Sequence, residues 1–487
     1  MPASNMRSTD HTLAATPATA TILNKEEQPM LVIVDPMSTG ATLACAADSR
    51  GLPVCCVWSD LCPESLRHFV AEGQTTNFVG VVTHTGDIKS TIAALTKIGK
   101  VGEVMPGSEP GVELADELAN ALGCRGNGTA QSACRRNKFE QSEAIRAKGL
   151  SAGAQALVAN PEEVEAFLKT HCMPFTKLVV KPVDGAASEG VTICSSAEQV
   201  RECVRTLQAS TNVFGQSNEG KVLLMEYLGG DEYVVDTVSR DGVHKCVAIW
   251  KYMKQPCNGV QNCWFGQRLM AVDDEAHLAL FAPYIFGALD AIGIQNGAVH
   301  SEVKMDTSTA AGQRRGPTLI ECNCRLHGIE GSWCPIVDKC LGYSQVSALL
   351  DAYYEPTAFK ALPDSPSTMY ARGAQVGVRS MVEGTIASVD ESRVAQIRAV
   401  ESYVGENVAW SSLTAGQPIV KTTDVVTLCG QINLVAESKA HLDSDMKQIE
   451  GLVNAGIFAL EGISRRHLAA AAIALGAVAI VVAARRR

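Results

Sequence analysis

The sequence predicts an α/β and α+β chain of several domains, and three observations support this fold class. The chain has 487 residues, which is too long for one ordinary hydrophobic core. Short β-branched runs alternate with helical patterns near the N-terminus, whereas the central region is rich in strands that suit antiparallel pairing. Apolar residues make up 46% and charged residues 19% of the chain, which is globular and not disordered composition.

The N-terminal part of the chain predicts a Rossmann-like domain. Residues 31–34 form an apolar run that ends at Asp35-Pro36, and a turn of small residues then leads into a helical pattern. A strand pattern at Val54–Trp58 follows, and the alternation continues through residues 78–105. The glycine spacing does not match a dinucleotide-binding fingerprint, so the pattern predicts an architecture and no cofactor.

The two ends of the chain differ from its body. Residues 1–29 are rich in Ala, Thr and Ser and predict a disordered extension, with a transit peptide as the alternative. Leu468–Ala484 contains no polar side chain, and arginines flank it on both sides. Such a run is short for a bilayer span, but flanking arginines extend its reach. We expect a short C-terminal hydrophobic helix that anchors a cytoplasmic body to a membrane; the alternative is a buried core helix.

Changes in composition near Gly123–Ala133 and a Pro-rich linker at residues 356–366 set the expected domain boundaries. The predicted segments are a disordered extension (1–29), a Rossmann-like domain (30–133), a central domain (134–355), a small α+β C-terminal domain (356–460) and the hydrophobic helix (464–487).

Charge and cysteine content exclude two classes of protein. The formal net charge is -10, which argues against a nucleic-acid partner because such binding needs a basic face. The chain has 17 cysteines, an odd number without any Cys-x-x-Cys pair. We therefore expect free thiols in a reducing compartment and neither a disulfide framework nor a zinc–thiolate site.

The first motif is KPVDGAASEGV, from Lys181 to Val191. A strand delivers the lysine, and a loop containing Ala186, Ala187 and Ser188 precedes another strand. Small residues let backbone N–H groups approach a polyanion closely, which suits a phosphate-binding loop. A plain hairpin turn is the alternative.

The second motif is MEYLGGDEYVVD, from Met225 to Asp236. Glu226 ends a strand, and Glu232 follows across a Gly-Gly turn. An adenine needs an acceptor and a backbone donor on a strand edge, and ribose hydroxyls need a carboxylate beyond a turn. Two solvated surface acids are the alternative.

The third motif joins two strand patterns, Val299–Met305 and Leu319–Gly328. Period-two alternation places Glu321, Asn323 and Arg325 on one face of the second strand, with the intervening cysteines on the other face.

Glu302 on the first of these strands can join that face. Two carboxylates and an amide oxygen are hard ligands that suit Mg²⁺ bound to nucleotide phosphates. The planar fork of Arg325 suits the oxygens of a transferred phosphoryl group. The apolar neighbours Leu319 and Ile320 count against an exposed face of charge pairs.

Together these motifs resemble the ATP-grasp superfamily, and within it the amino-acid ligases that make dipeptides. The resemblance covers roughly residues 31–455, and the motifs occur in the family's order. It implies an ATP-grasp central domain and an ADP-forming carboxylate–amine ligase that acts through an acyl phosphate. It also implies ATP with Mg²⁺ (or Mn²⁺) as cofactors, a small-molecule carboxylate and an amine as substrates, and a homodimer.

The resemblance also assigns roles to residues. Lys138, Lys181, Ala186, Ala187 and Ser188 would contact the ATP phosphates, although Ala187 stands where the family's loop carries glycine. The adenine would contact Glu226 and the backbone of Leu228, and the ribose would contact Glu232. Glu302, Glu321 and Asn323 would hold Mg²⁺, and Arg325 would stabilise the acyl phosphate.

Substrate residues are less defined. His327, Gly328 and Trp333 lie where relatives bind the amino acid, and His300 is either a satisfied histidine inside the sheet or a participant. The segment from Lys251 and Lys254 to Arg268 suits a loop that covers the substrate, with an ordinary structural segment as the alternative. Two other functions stay open: a purine-pathway or carboxylase-type ligase, and a membrane-tethered nucleotide-binding protein without activity.

Overall fold

The computed structural model describes residues 28–67, 76–171, 177–183, 190–210 and 220–461. The predicted phosphate-loop residues Ala186, Ala187 and Ser188 lie outside the described residues. So do the predicted helix at 464–487 and all but the end of the predicted N-terminal extension. In the part of the chain that is described, no helix is both long enough and apolar enough to cross a bilayer.

The N-terminal region is a parallel four-stranded sheet with strand order β3-β2-β1-β4. Its first strand is buried along its whole length, as expected for a parallel sheet that is covered on both faces. The Rossmann-like prediction is therefore confirmed. The elements are β1 (Met30–Val34), α1 (Thr39–Ser49), β2 (Val54–Trp58), β3 (Gly80–Thr83), α2 (Ile88–Ile98), β4 (Val101–Pro106) and α3 (Val112–Leu122).

A second, antiparallel four-stranded sheet follows, with strand order β5-β8-β6-β7. Two helices pack on it through apolar residues such as Phe167 and Val200. The elements in this part of the chain are α4 (Lys138–Ala147), β5 (Gln155–Val158), α5 (Pro161–His171), β6 (Leu178–Lys181), β7 (Thr192–Cys194), α6 (Ala197–Gln208) and β8 (Val222–Glu226).

The largest sheet has eight strands in the order β13-β12-β9-β10-β11-β14-β18-β16, and its neighbouring strands are antiparallel. The elements of this part of the chain, which include three strands of a separate small sheet (β15, β17 and β19), are β9 (Asp231–Arg240), β10 (Val243–Cys257), β11 (Val260–Met270), α7 (Phe281–Ala291), β12 (Gly297–Met305), α8 (Ala310–Arg315), β13 (Thr318–Asn323), α9 (Cys334–Leu341), α10 (Gln345–Tyr354), α11 (Pro356–Ala361), β14 (Arg372–Val378), β15 (Gly384–Val389), α12 (Glu391–Arg398), β16 (Tyr403–Val408), β17 (Pro418–Ile419), β18 (Gly430–Ala436), α13 (Lys439–Asn454) and β19 (Phe458–Leu460).

The two faces of the large sheet have different neighbours. On one face, Tyr233, Val235 and Val299 pack against α7. On the other face, Val234 and Trp250 pack against α9, α10 and the N-terminal sheet. Glu232, Glu302 and Glu321 alternate with the first set, so these three predicted site residues belong to the face that is shared with the N-terminal region.

The last part of the chain adds β14, β18 and β16 to the large sheet and forms a small sheet of order β17-β15-β19. Helices α12 and α13 pack on these strands through residues such as Ile397 and Ile449. The large sheet therefore continues across the boundary predicted near residue 356, and the boundary itself stays a prediction.

Two predictions about local structure are refined by the structure. The strand pattern of Leu319–Gly328 forms a strand only as far as Asn323, so Arg325 lies beyond it. For the segment from Lys251 to Arg268, where a covering loop and an ordinary structural segment were both open, the structure shows a hairpin of β10 and β11. Its turn is Asn258-Gly259, and both residues have positive φ, of 48° and 89°. Asn-Gly between two strands is a strong hairpin signal, and it was present in the sequence.

Candidate active site

The carboxylates predicted to bind metal stand on neighbouring strands. Glu302 on β12 lies directly opposite Glu321 on β13, and Asn323 lies opposite His300. Cys322, between the two predicted ligands, is buried in the core beneath the sheet. The predicted alternation is therefore confirmed for Glu321 and Asn323, and the structure brings these residues together with Glu302.

Two lysines lie beside this pair of carboxylates. Lys138 is the first residue of α4, where Asn137 accepts from the backbone N–H groups of the first turn. Its Nζ lies 2.9 Å from Oε2 of Glu321. Lys181 ends β6 and is only 4% exposed.

The electrostatics of the site follow from this crowding. Burial lowers the pKa of Lys181 to about 8, with a further decrease from Lys138 and opposing increases from Glu321 and Glu302. Burial alone would raise the pKa of the Glu321 carboxyl, but Lys138 and Lys181 outweigh it and hold that pKa below its usual value. The carboxylate of Glu321 therefore stays charged beside Lys181, whose protonated form is destabilised by burial.

Arg325 is held from two sides just after β13. Its Nε donates to Oε2 of Glu109 at 3.0 Å, and its Nη2 donates to Oδ1 of Asn323 at 3.2 Å. Glu109 belongs to the N-terminal region and also pairs with Arg136 at 3.0 Å. The guanidinium is thus fixed beside the predicted metal ligands by a carboxylate from the other side of the cleft.

A buried aspartate joins two histidines on the same face of the sheet. Asp236 on β9 is fully buried and accepts from Nδ1 of His300 and Nδ1 of His327, each at 2.9 Å. Nε1 of Trp250 is a third donor, at 3.0 Å. Nε2 of His300 then faces Glu302 at 3.7 Å and the hydroxyl of Tyr252 at 3.4 Å.

The three side chains Asp236, His300 and His327 could hold a metal by composition and spacing. Their hydrogen bonds argue otherwise, because both aspartate oxygens already accept a histidine Nδ1. Burial lowers the pKa of His327 to about 4 despite the nearby Asp236. For His300, burial is outweighed by hydrogen bonds to Asp236 and Glu302, which raise its pKa. Asp236 therefore orients both imidazole rings through its two oxygens, and the two histidines differ in the direction of their pKa shifts.

The predicted adenine and ribose residues are also paired. Arg315 of α8 makes a two-pronged pair with the carboxylate of Glu226, at 2.6 and 2.9 Å. Glu232 accepts from Lys254 at 2.5 Å and lies 3.3 Å from Lys304. Glu226 ends β8 of the second sheet, and Glu232 lies near the start of β9 in the large one.

The predicted substrate segment, residues 327–333, is a loop between β13 and α9. Trp333 is fully buried, stacks on His327 with ring centroids 5.1 Å apart, and donates from Nε1 to the carbonyl of Gly328 at 2.9 Å. The backbone N–H of His327 donates to Gln345 at 2.9 Å. His327, Gly328 and Trp333 therefore contact one another, and His327 connects them to the Asp236 cluster.

Sequence reasoning missed several residues of the site. Asp236 and Lys304 had a usable signal, since they share the strand periodicity of Glu232 and Glu302. Glu109 and Arg315 had none, because Glu109 reaches the site from a distant part of the chain and Arg315 lies at the end of the short helix α8.

The chain is similar to known proteins in both sequence and fold. Residues 174–329 match the family model of the ATP-grasp domain. The chain is 31% identical over 341 residues to dapdiamide A synthase of Enterobacter agglomerans, covering 69% of this chain and 76% of that protein. The L-amino acid ligase of Bacillus licheniformis has a similar structure, with a TM-score of 0.67 and 16% identity over 87% of this chain and 98% of that one. Phosphoribosylglycinamide synthetase of Anaerococcus prevotii is similar with a TM-score of 0.58 and 12% identity, over 89% of this chain and 100% of that one.

The fold and the site define a ligase of the ATP-grasp class, and the chain belongs to the ATP-grasp family. It is an ATP-dependent, ADP-forming carboxylate–amine ligase with ATP and Mg²⁺ as its cofactors. The described cysteines are free thiols.

Proposed function

We propose that the protein joins the carboxylate of an amino acid to an amine through an acyl phosphate. The observation that carries the proposal is the facing pair Glu302–Glu321, with Lys138, Lys181 and Arg325 around it. This group has the charges needed to bind a metal-bound triphosphate and to stabilise a transferring phosphoryl group. The names of the similar ligases support amino acids as substrates.

The donor set fits Mg²⁺. Glu302, Glu321 and Asn323 offer hard oxygen ligands on two adjacent strands, and such ligands are the ones that Mg²⁺ prefers. Bound there, the ion would neutralise charge on the phosphate oxygens. Lys138 and Lys181 would hold the phosphates, as would Ala186, Ala187 and Ser188.

The nucleoside would lie along the edge formed by β8 and β9. Because the carboxylate of Glu226 is engaged by Arg315 and by the backbone N–H of Ala154, its contact with adenine would come through the backbone, as for Leu228. The carboxylate of Glu232 would accept hydrogen bonds from the ribose hydroxyls while it remains paired with Lys254 and Lys304.

In the proposed reaction an oxygen of the substrate carboxylate attacks the γ-phosphorus of ATP, and ADP leaves. The amine then attacks the acyl carbon, the C–O bond breaks, and phosphate leaves with the oxygen that came from the carboxylate. The amine proton passes to solvent. The protein supplies no covalent nucleophile, so positioning and electrostatic stabilisation carry the rate. Arg325 would stabilise both the acyl phosphate and the tetrahedral intermediate.

The test is a screen of phosphate release with ATP, Mg²⁺ and amino acids, offered singly and in pairs. We expect release to require an acid together with an amine, and an amide to accumulate in equal amount. A purine-pathway or carboxylase-type activity would instead release phosphate with an aminoimidazole ribonucleotide or with bicarbonate. A chain that binds ATP but releases phosphate with none of these would be a nucleotide-binding protein without activity.

We further propose that residues 464–487 anchor a cytoplasmic homodimer to a membrane. The apolar run Leu468–Ala484 between arginines supports the anchor. The full chain should float with lipid vesicles, and a chain that ends at residue 461 should not. Equal behaviour of the two chains would contradict the anchor.

A further inference from the structure

We propose that Glu330 binds the ammonium group of the amino acid whose carboxylate is activated. The inference rests on the proposed function and names a feature of its acyl donor: a cationic amine that Glu330 recognises.

The carboxylate of Glu330 has no cationic partner among the described residues. Its carboxylate is partly buried, and the contact recorded for it is the side-chain amide of Asn407 on β16. Within the described ranges no lysine, arginine or histidine pairs with it. Burial raises the pKa of Glu330, and Asn407 opposes the increase only in part. A partly buried carboxylate without a cation is costly, and a ligand ammonium would relieve that cost.

The other acids around the site are already paired with lysine, arginine or histidine side chains. These pairs are Glu109 with Arg136 and Arg325, Glu226 with Arg315, Glu232 with Lys254 and Lys304, Asp236 with His300, and Glu321 with Lys138. Glu302 faces His300 and the metal position. Among the described acids of this cleft, Glu330 is therefore the one suited to a cation brought by a substrate.

The loop that carries Glu330 is fixed from the N-terminal side. The backbone N–H of Glu330 donates to Oγ of Ser38, and its carbonyl accepts from Oγ1 of Thr42, each at 3.0 Å. Ile329 and Glu330 have φ of 60° and 49°, a left-handed conformation that is costly for a β-branched residue. The contacts with α1 and its turn hold that conformation and aim the side chain of Glu330 at the strands.

The loop is also fixed from the sheet side by amide side chains. Gln375 on β14 and Asn433 on β18 donate to Ser332, the first to its hydroxyl at 3.0 Å and the second to its carbonyl at 2.6 Å. Gln267 on β11 donates to Gln375 at 2.7 Å. These neutral groups continue the polar face of the sheet from the nucleotide residues toward Glu330 without adding a competing charge.

The loop that carries Glu330 begins at the cluster beside the proposed metal ligands. His327, three positions before Glu330, contacts Asp236 at 2.9 Å, and its ring lies 4.3 Å from the ring of His300. His300 in turn faces Glu302 at 3.7 Å. Glu330 lies five positions after Arg325, and an extended chain sets an upper limit of about 18 Å on the distance between these two Cα atoms. The proposal therefore places the acyl donor between this cluster and the carboxylate of Glu330.

The negative charge of Glu330 also indicates which of the two amines it would bind, the amine of the activated amino acid or the attacking amine. A carboxylate favours the protonated form of a bound amine, and a protonated amine cannot attack the acyl phosphate. Glu330 is therefore suited to the amine that does not react, which belongs to the acid being activated.

The experiment compares wild type and Glu330→Gln by phosphate release, with the amino-acid pairs found in the screen and with the same acids N-acetylated or lacking the amine. The glutamine can still accept from Asn407, so the fold should be kept. We expect KM for the amino acid to rise roughly 10- to 100-fold, as for the loss of a hydrogen bond to a charged group, with KM for ATP unchanged. Glu330→Asp should restore part of the loss.

Two controls separate recognition from structure. Glu450→Gln removes another partly buried carboxylate whose pKa burial raises, and it should change neither KM. The acids without a cationic amine should react equally with wild type and Glu330→Gln. An unchanged KM for the amino acid in Glu330→Gln would overturn the inference while leaving the ligase activity in place. A wild type that releases no phosphate with any pair would remove the proposed function, and the inference with it.

Discussion

Arg325→Ala should fold and bind ATP but turn over on the order of 100-fold more slowly than wild type. One charge-stabilising group lost at a reacting centre costs roughly 3 kcal/mol in the barrier. The guanidinium of Arg325 lies between Glu109 and Asn323, 3.0 and 3.2 Å from their oxygens. It is thus preorganised beside the proposed metal ligands, and its charge would act on the transition state more than on the bound ATP. Steady-state phosphate release and ATP binding, measured on the same samples, check this.

Two further variants show whether the slower turnover of Arg325→Ala comes from the loss of its charge or from altered packing around it. Glu109→Gln keeps the guanidinium but removes the charged group that positions it, so we expect a smaller loss of kcat. Arg372→Ala removes an arginine from a partly exposed pair with Asp274, 2.7 Å apart, and should leave kcat unchanged. A kcat for Arg325→Ala close to that of wild type would remove Arg325 from the mechanism.

Lys181→Met should abolish most of the activity without lowering the stability of the protein. Its side chain is 4% exposed, and burial lowers its pKa from 10.5 to about 8. At neutral pH the protonated lysine therefore costs roughly 3 kcal/mol of folding free energy. Methionine of similar length removes that cost, and Glu321 keeps its partner Lys138. The loss of a phosphate contact should raise KM for ATP and lower kcat, each on the order of tenfold or more.

The sign of the stability change makes the Lys181 prediction specific. The folded pKa lies below the unfolded one, so the cost is full below about pH 8 and disappears as pH rises toward 10.5. The melting temperature of Lys181→Met should therefore equal or exceed that of wild type at pH 7, and the difference should shrink at higher pH. The exposed Lys97→Met is the matched control and should change neither activity nor stability. A clearly lower melting temperature for Lys181→Met would mean that Lys181 stabilises the fold. That result would contradict the view that the buried lysine lowers stability and serves the reaction.

Much of the site could be predicted from the sequence because its residues lie on strands with clear periodicity. The alternation in Leu319–Asn323 placed Glu321 and Asn323 on one face, and register then brought Glu302 opposite Glu321. The β-α-β pattern of residues 31–105 likewise gave the N-terminal sheet, since short parallel strands and amphipathic helices are local signals.

The rest depends on contacts between distant parts of the chain. Nothing local indicates that Glu109 reaches Arg325, 216 residues away, or that β14 pairs with β11. Asp236 lay inside a recognised motif, but its role follows from two histidines that the fold brings to it. The strained loop at Ile329 and Glu330 is set by its partners on α1 and the sheet, so sequence patterns could not reveal it.

The proposed acyl phosphate is tested most directly by following the oxygen of the carboxylate. The acid found in the screen, labelled with ¹⁸O in its carboxyl group, is incubated with the amine, ATP and Mg²⁺, and the released phosphate is analysed by mass. The mechanism predicts that each phosphate carries one oxygen from the carboxyl group. Amide formation with unlabelled phosphate would contradict it.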